Sequence, residues 1–402
     1  MTGCKNNRYE LDQVILWCAK NNAEITDEDE ADFCIINTCT VTHVADKKSR
    51  QLIRKTKNAN PKLKTIVFGC AARMQKGAFE KIGEVDYLLP DLPAVIRFLD
   101  HQRSQSPGGR AGFPTRDDAI MPRSRALVQI QDGCDNYCAY CIIVAARGRS
   151  KSRPADEIIA EINQHIKNGF NEVVLTGINI GAYGCSVTTK PKESKFADLL
   201  KDILKKTDIQ KIRISSMGPK YFNEPIYKVL TNPRICRHIH LSVQSGSDSV
   251  LKRMRRQYTV KQMDEIIERL KKDIPGIAIT TDIIVGFPEE TDAEFQETLD
   301  FVKRHQLAKV HVFPYSIRQN TLAAKMKQVP DDVKKKRAKI LQKVADDCRQ
   351  KFIKSQIGSK VSILWESSTK GLTDNYIRIK EKGGCKVRSI TIKKLSKRIV
   401  IA

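Results

Sequence analysis

The chain has 402 residues, enough for two or three domains with substantial cores. Its 71 Lys and Arg outweigh 46 Asp and Glu, a formal charge of +25 that favours a polyanionic partner such as nucleic acid. No apolar run reaches the length of a membrane span, and the opening Met1-Thr-Gly-Cys-Lys-Asn lacks the apolar stretch of a secretion signal. The expectation is therefore a cytoplasmic protein with no membrane partner.

Leu11–Lys20 has a helical pattern, Phe33-Cys-Ile-Ile-Asn37 and Thr65-Ile-Val-Phe68 read as buried strands, and Val41–Lys57 and Ala71–Lys81 as helices. Cys39 and Cys70 each close a strand before a helix, and Cys4 precedes the first helical pattern. In an open parallel α/β sheet the strand C-terminal ends share one edge, where ligands bind. Three loop cysteines on that edge offer a set of thiolates; taken singly, each equally reads as a small buried hydrophobe. Of the twelve cysteines, Cys18, Cys34, Cys185, Cys236, Cys348 and Cys385 lack such a setting and read as buried thiols. The stretch Ser104-Gln-Ser-Pro-Gly-Gly-Arg-Ala-Gly-Phe-Pro114 marks a linker.

Beyond it, strands are expected at Leu127–Ile130, Glu172–Thr176, Lys211–Ser215, His238–Val243, Ala278–Val285 and Lys309–Tyr315. Amphipathic helices alternate with them at Ala155–Asn168, Phe196–Lys206, Val260–Lys271 and Thr291–Arg304, the last opening on a capping box from Thr291 to Glu294. Strands apolar on both faces and separated by helices indicate parallel βα units, here a partial (β/α)6 barrel with its active face at the strand C-terminal ends. A charged helix, Asp331–Lys354, leads into a β-rich tail, Gly358–Ala402, with eleven Lys and Arg against Glu366, Asp374 and Glu381, a net of +8.

The loop after the first barrel strand reads Asp132-Gly-Cys-Asp-Asn-Tyr-Cys-Ala-Tyr-Cys-Ile, placing Cys134, Cys138 and Cys141 in a C-x3-C-x2-C spacing. Three thiolates against the four irons of a cubane leave one iron open to a substrate or cofactor. A zinc site wants a fourth ligand nearby, and no Cys or His lies between Cys141 and His165. A disulfide framework does not suit a lysine-rich chain without a secretion signal.

These runs together resemble the methylthiotransferase family of radical S-adenosylmethionine (SAM) enzymes over nearly the whole length. The resemblance is carried by Gly3-Cys-Lys-Asn-Asn-Arg-Tyr-Glu10, Asn37-Thr-Cys-Thr-Val-Thr42, Phe68-Gly-Cys70, the Cys134–Cys141 loop and Ala146-Arg-Gly-Arg-Ser-Lys-Ser-Arg153. Leu241-Ser-Val-Gln-Ser-Gly-Ser-Asp248, Thr281-Asp-Ile-Ile-Val-Gly-Phe-Pro288 and His311-Val-Phe-Pro-Tyr-Ser316 extend it. It implies an auxiliary-cluster domain over residues 1–101, a linker over 102–123, a radical SAM core over 124–356 and a small TRAM-like RNA-binding β-barrel over 357–402. Val173-Val-Leu-Thr-Gly-Ile-Asn and His311–Met326 look most like the branch acting on N6-threonylcarbamoyladenosine (t6A) at position 37 of tRNAs reading ANN codons. Branches for isopentenyladenosine and for a ribosomal-protein aspartate, or a non-catalytic RNA-binding homologue, are the alternatives.

By this resemblance Cys134, Cys138 and Cys141 hold a 4Fe-4S cluster that cleaves SAM to a 5′-deoxyadenosyl radical able to attack adenine C2. Cys4, Cys39 and Cys70 hold a second 4Fe-4S cluster that carries the sulfur, and a second SAM supplies the methyl group. The partners implied are a tRNA anticodon loop and a low-potential electron donor of flavodoxin or ferredoxin type. Thr176, Gly177, Ser215, Gln244 and Ser245 end barrel strands and are expected to contact SAM, with strand-end capping as the alternative; Gly286 fits an adenine-contacting turn. Arg147, Arg149 and Arg153, with Lys393, Lys394 and Arg398 in the tail, are expected to meet RNA phosphates, with Trp365 and Tyr376 stacking on bases. Two departures from the family are noted. Only Met1-Thr-Gly precede Cys4, where the family has a first strand whose loss is expected to destabilise the second cluster, a misplaced gene start being the simpler alternative, and Val144 stands where proline is usual.

Overall fold

A computed structural model describes residues 3–27, 29–104, 124–185 and 193–380, with the backbone of 388–391. It forms two compact units, one of residues 1–122 with 142–148, the other of 123–141 with 149–402.

The first unit is built on a three-stranded parallel sheet, Phe33–Thr38, Lys64–Gly69 and Tyr87–Leu88 in that order. Successive strand side chains point to opposite faces, so both faces of a covered sheet are apolar. Val67 packs with Ile36, Ile53 and Phe79 on one side, while Ile66 and Phe68 pack with Val14, Val95 and Leu99 on the other. The helix His43–Ala59 lies close to the expected Val41–Lys57, and the helix Lys5–Lys20 contains the expected Leu11–Lys20 but starts earlier, directly after Cys4. The expected helix Ala71–Lys81 is two short ones, Cys70–Met74 and Lys76–Glu80, because Gln75 leaves helical conformation (φ −126°, ψ 38°). Its amide meanwhile reaches Asp46 and Arg50 on the neighbouring helix. The helix Leu92–Ser104, outside the sequence reading, starts where Asp91 accepts from the Ala94 amide at 3.0 Å.

In the second unit, Arg125–Gln129, Glu172–Thr176 and Lys211–Ile214 pair in parallel, as do Ser216–Met217, His238–Gln244, Ala278–Val285 and Lys309–Pro314. Lys211–Ile214 and Ser216–Met217 are consecutive segments of one strand stepped at Ser215, so six parallel strand positions follow one another, as the β/α alternation predicts. Thr291 and Glu294 form the expected capping box, and Thr259 with Gln262 forms another. The tail contributes four antiparallel strands, Lys360–Ser367, Lys370–Thr373, Arg378–Lys380 and Arg388–Thr391.

The loop after Lys370–Thr373 closes the N-terminal end of the barrel. Arg213, 2% exposed, donates to Glu172 at 2.7 Å and to the carbonyls of Thr373 (3.2 Å) and Asp374 (3.3 Å). Tyr376 stacks on His238 with ring centroids 4.1 Å apart and planes at 12°, and the Arg213 guanidinium lies 5.7 Å from its ring. This corrects the expectation of base stacking: Tyr376 is committed to the barrel floor and Trp365 is buried over Gly371. Lys393, Lys394 and Arg398, the linker 105–123 and Cys385 lie outside the described residues. Among the described residues no helix is long and apolar enough to cross a membrane.

Candidate functional site

The C-x3-C-x2-C loop is pinned to the barrel by its backbone. The Ala139 amide donates to the Met254 carbonyl at 3.0 Å, and the Ala139 carbonyl accepts from Ala323 at 2.8 Å. The two aromatics between the cysteines divide. Tyr140 packs edge-on against Phe287, centroids 6.3 Å apart, whereas Tyr137 is exposed with positive φ (48°) and carries Arg149 over its ring. Cys134, Cys138 and Cys141 are all half-buried and free of disulfides.

The electrostatics around them are cationic. Arg256 donates from Nη1 to Cys138 Sγ at 3.1 Å and from Nε to the Tyr258 hydroxyl at 2.6 Å. Lys220 is held by Asn136 (2.6 Å) and Gln257 (2.8 Å). With Arg255 these side chains line a cleft beside Cys138. Burial pushes the Cys134 thiol up, opposed by its bond to the Asn136 backbone and the charges of Lys220 and Arg256. An iron-bound thiolate is thus favoured by fixed positive charge, while the free thiol stays protonated. Sequence reasoning missed Lys220 and Arg256, because a basic pair between a helix and a loop reads as solvated charge.

Four of the strand-end residues stand with the loop at the strand C-terminal ends. Ser215 is 3% exposed, and its hydroxyl makes no hydrogen bond among the described residues, so a buried polar group there awaits a partner. Gln244 sits in left-handed backbone (φ 69°) where the register to the next strand shifts. Such strain in a non-glycine residue persists only when its surroundings fix it. At Gly177 a Cβ would come within 2.8 Å of the Gln131 carbonyl oxygen, and Thr176 is buried beside it. The other two are engaged in the scaffold: Ser245 Oγ contacts Thr298 Oγ1 (3.2 Å) and accepts from Ser247, and the Gly286 amide donates to Glu290 at 2.9 Å.

In the first unit, Cys39 and Cys70 follow paired strand ends, since Thr38 is in register with Gly69. Cys4 caps the helix Lys5–Lys20 and its thiol donates to Asn7 Oδ1 at 3.0 Å. Asn7 Nδ2 in turn donates to Asn37 Oδ1 (2.6 Å) and the Thr38 carbonyl (3.0 Å), which ties the Cys4 segment to the same sheet edge. Asn37 Nδ2 donates to Glu10 at 2.6 Å. Arg147, 5% exposed, completes the network: Nε donates to Cys70 Sγ at 3.1 Å and Nη1 to Glu10 at 2.9 Å. Burial pushes the Cys70 thiol up to about 11 against the pull of Arg147, and raises Cys39 as well. Gly69 has φ 101°, and a Cβ there would lie 2.2 Å from Asn37 Oδ1, so glycine is required for Cys70 to turn onto this edge. The buried Thr40 hydroxyl beside Cys39 makes no hydrogen bond among the described residues.

Of the basic residues expected at RNA, Arg147 is thus a neighbour of Cys70 rather than a surface cation. Arg153 donates to the Gln129 carbonyl (2.7 Å) and Glu161 (2.6 Å), and Arg149 pairs with Asp135 while keeping about half its side chain in solvent. The donor chemistry fits two clusters. Among the described residues the triplet of His, Cys, Asp or Glu whose ligand atoms all lie within 4.8 Å of one another is His240, Asp282 and His311, and neither cysteine set is that tight. A cubane, taking one thiolate per iron, asks for a wider set than a single ion does.

Comparison with known proteins follows the same division of the chain. Residues 128–302 match the family described as the radical SAM superfamily, and residues 1–90 match an uncharacterized protein family, UPF0004. The chain is 36% identical over 405 residues to a threonylcarbamoyladenosine tRNA methylthiotransferase MtaB of Bacillus subtilis (strain 168), covering 95% of this chain and 89% of that protein. It is also 36% identical over 364 residues to a tRNA-2-methylthio-N(6)-dimethylallyladenosine synthase of Carboxydothermus hydrogenoformans, covering 86% and 81%. In structure it resembles the radical SAM methyltransferase TsrM of Kitasatospora setae, solved with cobalamin and a 4Fe-4S cluster, with TM-score 0.56 over 79% of this chain and 67% of that one. At 13% identity this likeness is one of fold.

Proposed function

Because the chain belongs to the methylthiotransferase family of radical SAM enzymes, we propose that it inserts a methylthio group at C2 of t6A at position 37 of tRNA. The observation that carries the reaction class is the pair of three-cysteine sets, each at the C-terminal edge of a parallel sheet and each with an arginine donating to one sulfur. The t6A target is supported by the relatives: five MtaB proteins are 33–36% identical over 91–95% of the chain, against 31–36% over 86–96% for three dimethylallyladenosine synthases.

Cys134, Cys138 and Cys141 would hold one 4Fe-4S cluster, and Cys4, Cys39 and Cys70 the other. Bound together with SAM, these groups supply the one-electron chemistry that breaks an aromatic C–H bond and the sulfur and methyl that replace its hydrogen. The chain's own residues bind and orient. Arg256 bridges Cys138 to Tyr258 and to the Ser242 carbonyl (3.2 Å), fixing the loop against the fourth strand. Lys220 and Arg255 make the adjoining cleft attractive to a carboxylate or phosphate. Ser215, Gln244, Thr176 and Gly177 are the strand-end groups proposed to meet SAM, and Ser215 offers a hydroxyl that makes no hydrogen bond among the described residues. Ser245 and Gly286 act through the backbone turns they hold. Arg149, Arg153 and the basic tail are proposed for the tRNA backbone. Electrons would come from a flavodoxin- or ferredoxin-type donor.

The test is anaerobic turnover by the reconstituted protein with reductant, SAM and anticodon stem-loops bearing either t6A or isopentenyladenosine. Methylthiolation of the t6A stem-loop, with 5′-deoxyadenosine and S-adenosylhomocysteine formed in step, is the expected result. Conversion of the isopentenyladenosine stem-loop alone would move the protein to the other branch.

A further inference from the structure

On the barrel sheet, three neighbouring strands bring together two imidazoles and a carboxylate. His240 lies in His238–Gln244, Asp282 in Ala278–Val285 and His311 in Lys309–Pro314. Parallel register explains the meeting. Asp282 pairs with His311, and His240 pairs with Thr280, two residues from Asp282 and so on its face of the sheet. One ligand atom from each lies within 4.8 Å of the other two. His240 Nε2 is 3.2 Å from Asp282 Oδ2, and the rings of His240 and His311 are 5.9 Å apart.

The support behind His240 is built as well. Its Nδ1 lies 3.0 Å from Thr280 Oγ1, which also lies 3.0 Å from His238 Nε2, and the His238 ring is clamped by Tyr376 of the tail. The threonine thus fixes the ring and leaves Nε2 for the cluster, the arrangement by which metal-binding histidines are oriented through their second nitrogen. The site stays open to small solutes, with the His240 and Asp282 side chains 14% and 34% exposed. A histidine–aspartate ion pair needs one imidazole. Two imidazoles with one carboxylate are the donor set of zinc and ferrous sites, and three protein ligands leave a coordination position for water or for an oxygen or nitrogen of a bound molecule.

We propose that His240, Asp282 and His311 bind a divalent transition-metal ion of the zinc class, with Thr280 as the positioning residue behind His240. The proposal does not rest on the tRNA reading. Full-length protein carrying its iron–sulfur clusters is dialysed against zinc, desalted, and assayed for zinc, iron and sulfide per chain by mass spectrometry and colorimetry. The expected result is about one zinc per chain in addition to the cluster iron, with nitrogen and oxygen ligands in the zinc-edge absorption spectrum. His240→Gln, Asp282→Asn and His311→Gln should each lose the zinc while keeping iron and sulfide, which report an intact fold. Thr280→Val should bind zinc about 10–100-fold more weakly. No zinc retained, equal zinc in the ligand variants, or sulfur in the coordination shell would overturn it.

Discussion

Replacing Arg147 by leucine removes a buried guanidinium that links Cys70, Glu10 and Asn7. The side chain is 5% exposed, so water does not replace its contacts, and the leucine fills part of the vacated volume. A hydrogen bond from a charged donor contributes about 1.5–3 kcal/mol. If the 3.1 Å bond to Cys70 Sγ favours the iron-bound thiolate by that amount, its loss weakens cluster binding about 10–150-fold at 1.4 kcal/mol per decade. Cys70 makes the effect visible, because burial already pushes its thiol up to about 11 and Arg147 is the main opposing charge. The assay uses a Cys138→Ala background, so that stable iron reports on Cys4, Cys39 and Cys70, with retention followed during chelator challenge. Arg147→Leu should release iron at least tenfold faster, and Arg147→Lys should fall between the two. Equal release rates for Arg147 and Leu would refute the idea that this arginine supports the N-terminal set.

Arg213→Met should destabilise the second unit by about 3 kcal/mol, since it removes the nearest partner of the buried Glu172 carboxylate, leaving Arg125 at 3.9 Å, and unpairs the tail carbonyls; Trp365 fluorescence in denaturant reads this in a Trp17→Phe background, and a loss under about 1 kcal/mol would contradict it. Gly177→Ala should leave cluster iron unchanged yet weaken SAM binding, because the new methyl meets the Gln131 carbonyl at 2.8 Å; calorimetry decides between that and unaltered affinity. Arg253, with Ser249 and the Thr291 amide, holds the Glu294 carboxyl down at about 2 against burial. A folded pKa below the unfolded one means that its stabilisation is complete above about pH 4.5 and is lost as pH falls toward 2, so Glu294→Gln should flatten that limb of the stability–pH profile.

The strands were legible because buried parallel strands are apolar on both faces, and Val67 and Phe68 each find a separate core cluster. The Cys134, Cys138 and Cys141 set was legible because its spacing and its place after a strand are local features, whereas Cys4, Cys39 and Cys70 were joined into a set by the family resemblance. What failed to show was carried by long-range pairing. Arg147 and Glu10 lie 137 residues apart, and nothing local distinguishes this buried arginine from Arg149 in the same basic run. Tyr376 reads as a stacking platform until its loop is seen seated on His238. Gln75 broke an expected helix through side-chain bonds to the neighbouring helix, a tertiary override of a plausible periodicity. His240, Asp282 and His311 meet only once the strand register is known.

The central claim is methylthiolation of t6A by a protein that needs both cysteine sets. Nucleoside mass spectrometry of tRNA tests it most directly, in a host lacking its own t6A methylthiotransferase and expressing this chain or its Cys39→Ala or Cys138→Ala variant. The expected result is 2-methylthio-t6A with the unaltered chain and unmodified t6A with either variant. The 2-methylthio nucleoside in a variant, or its absence with the unaltered chain carrying full iron, would contradict it.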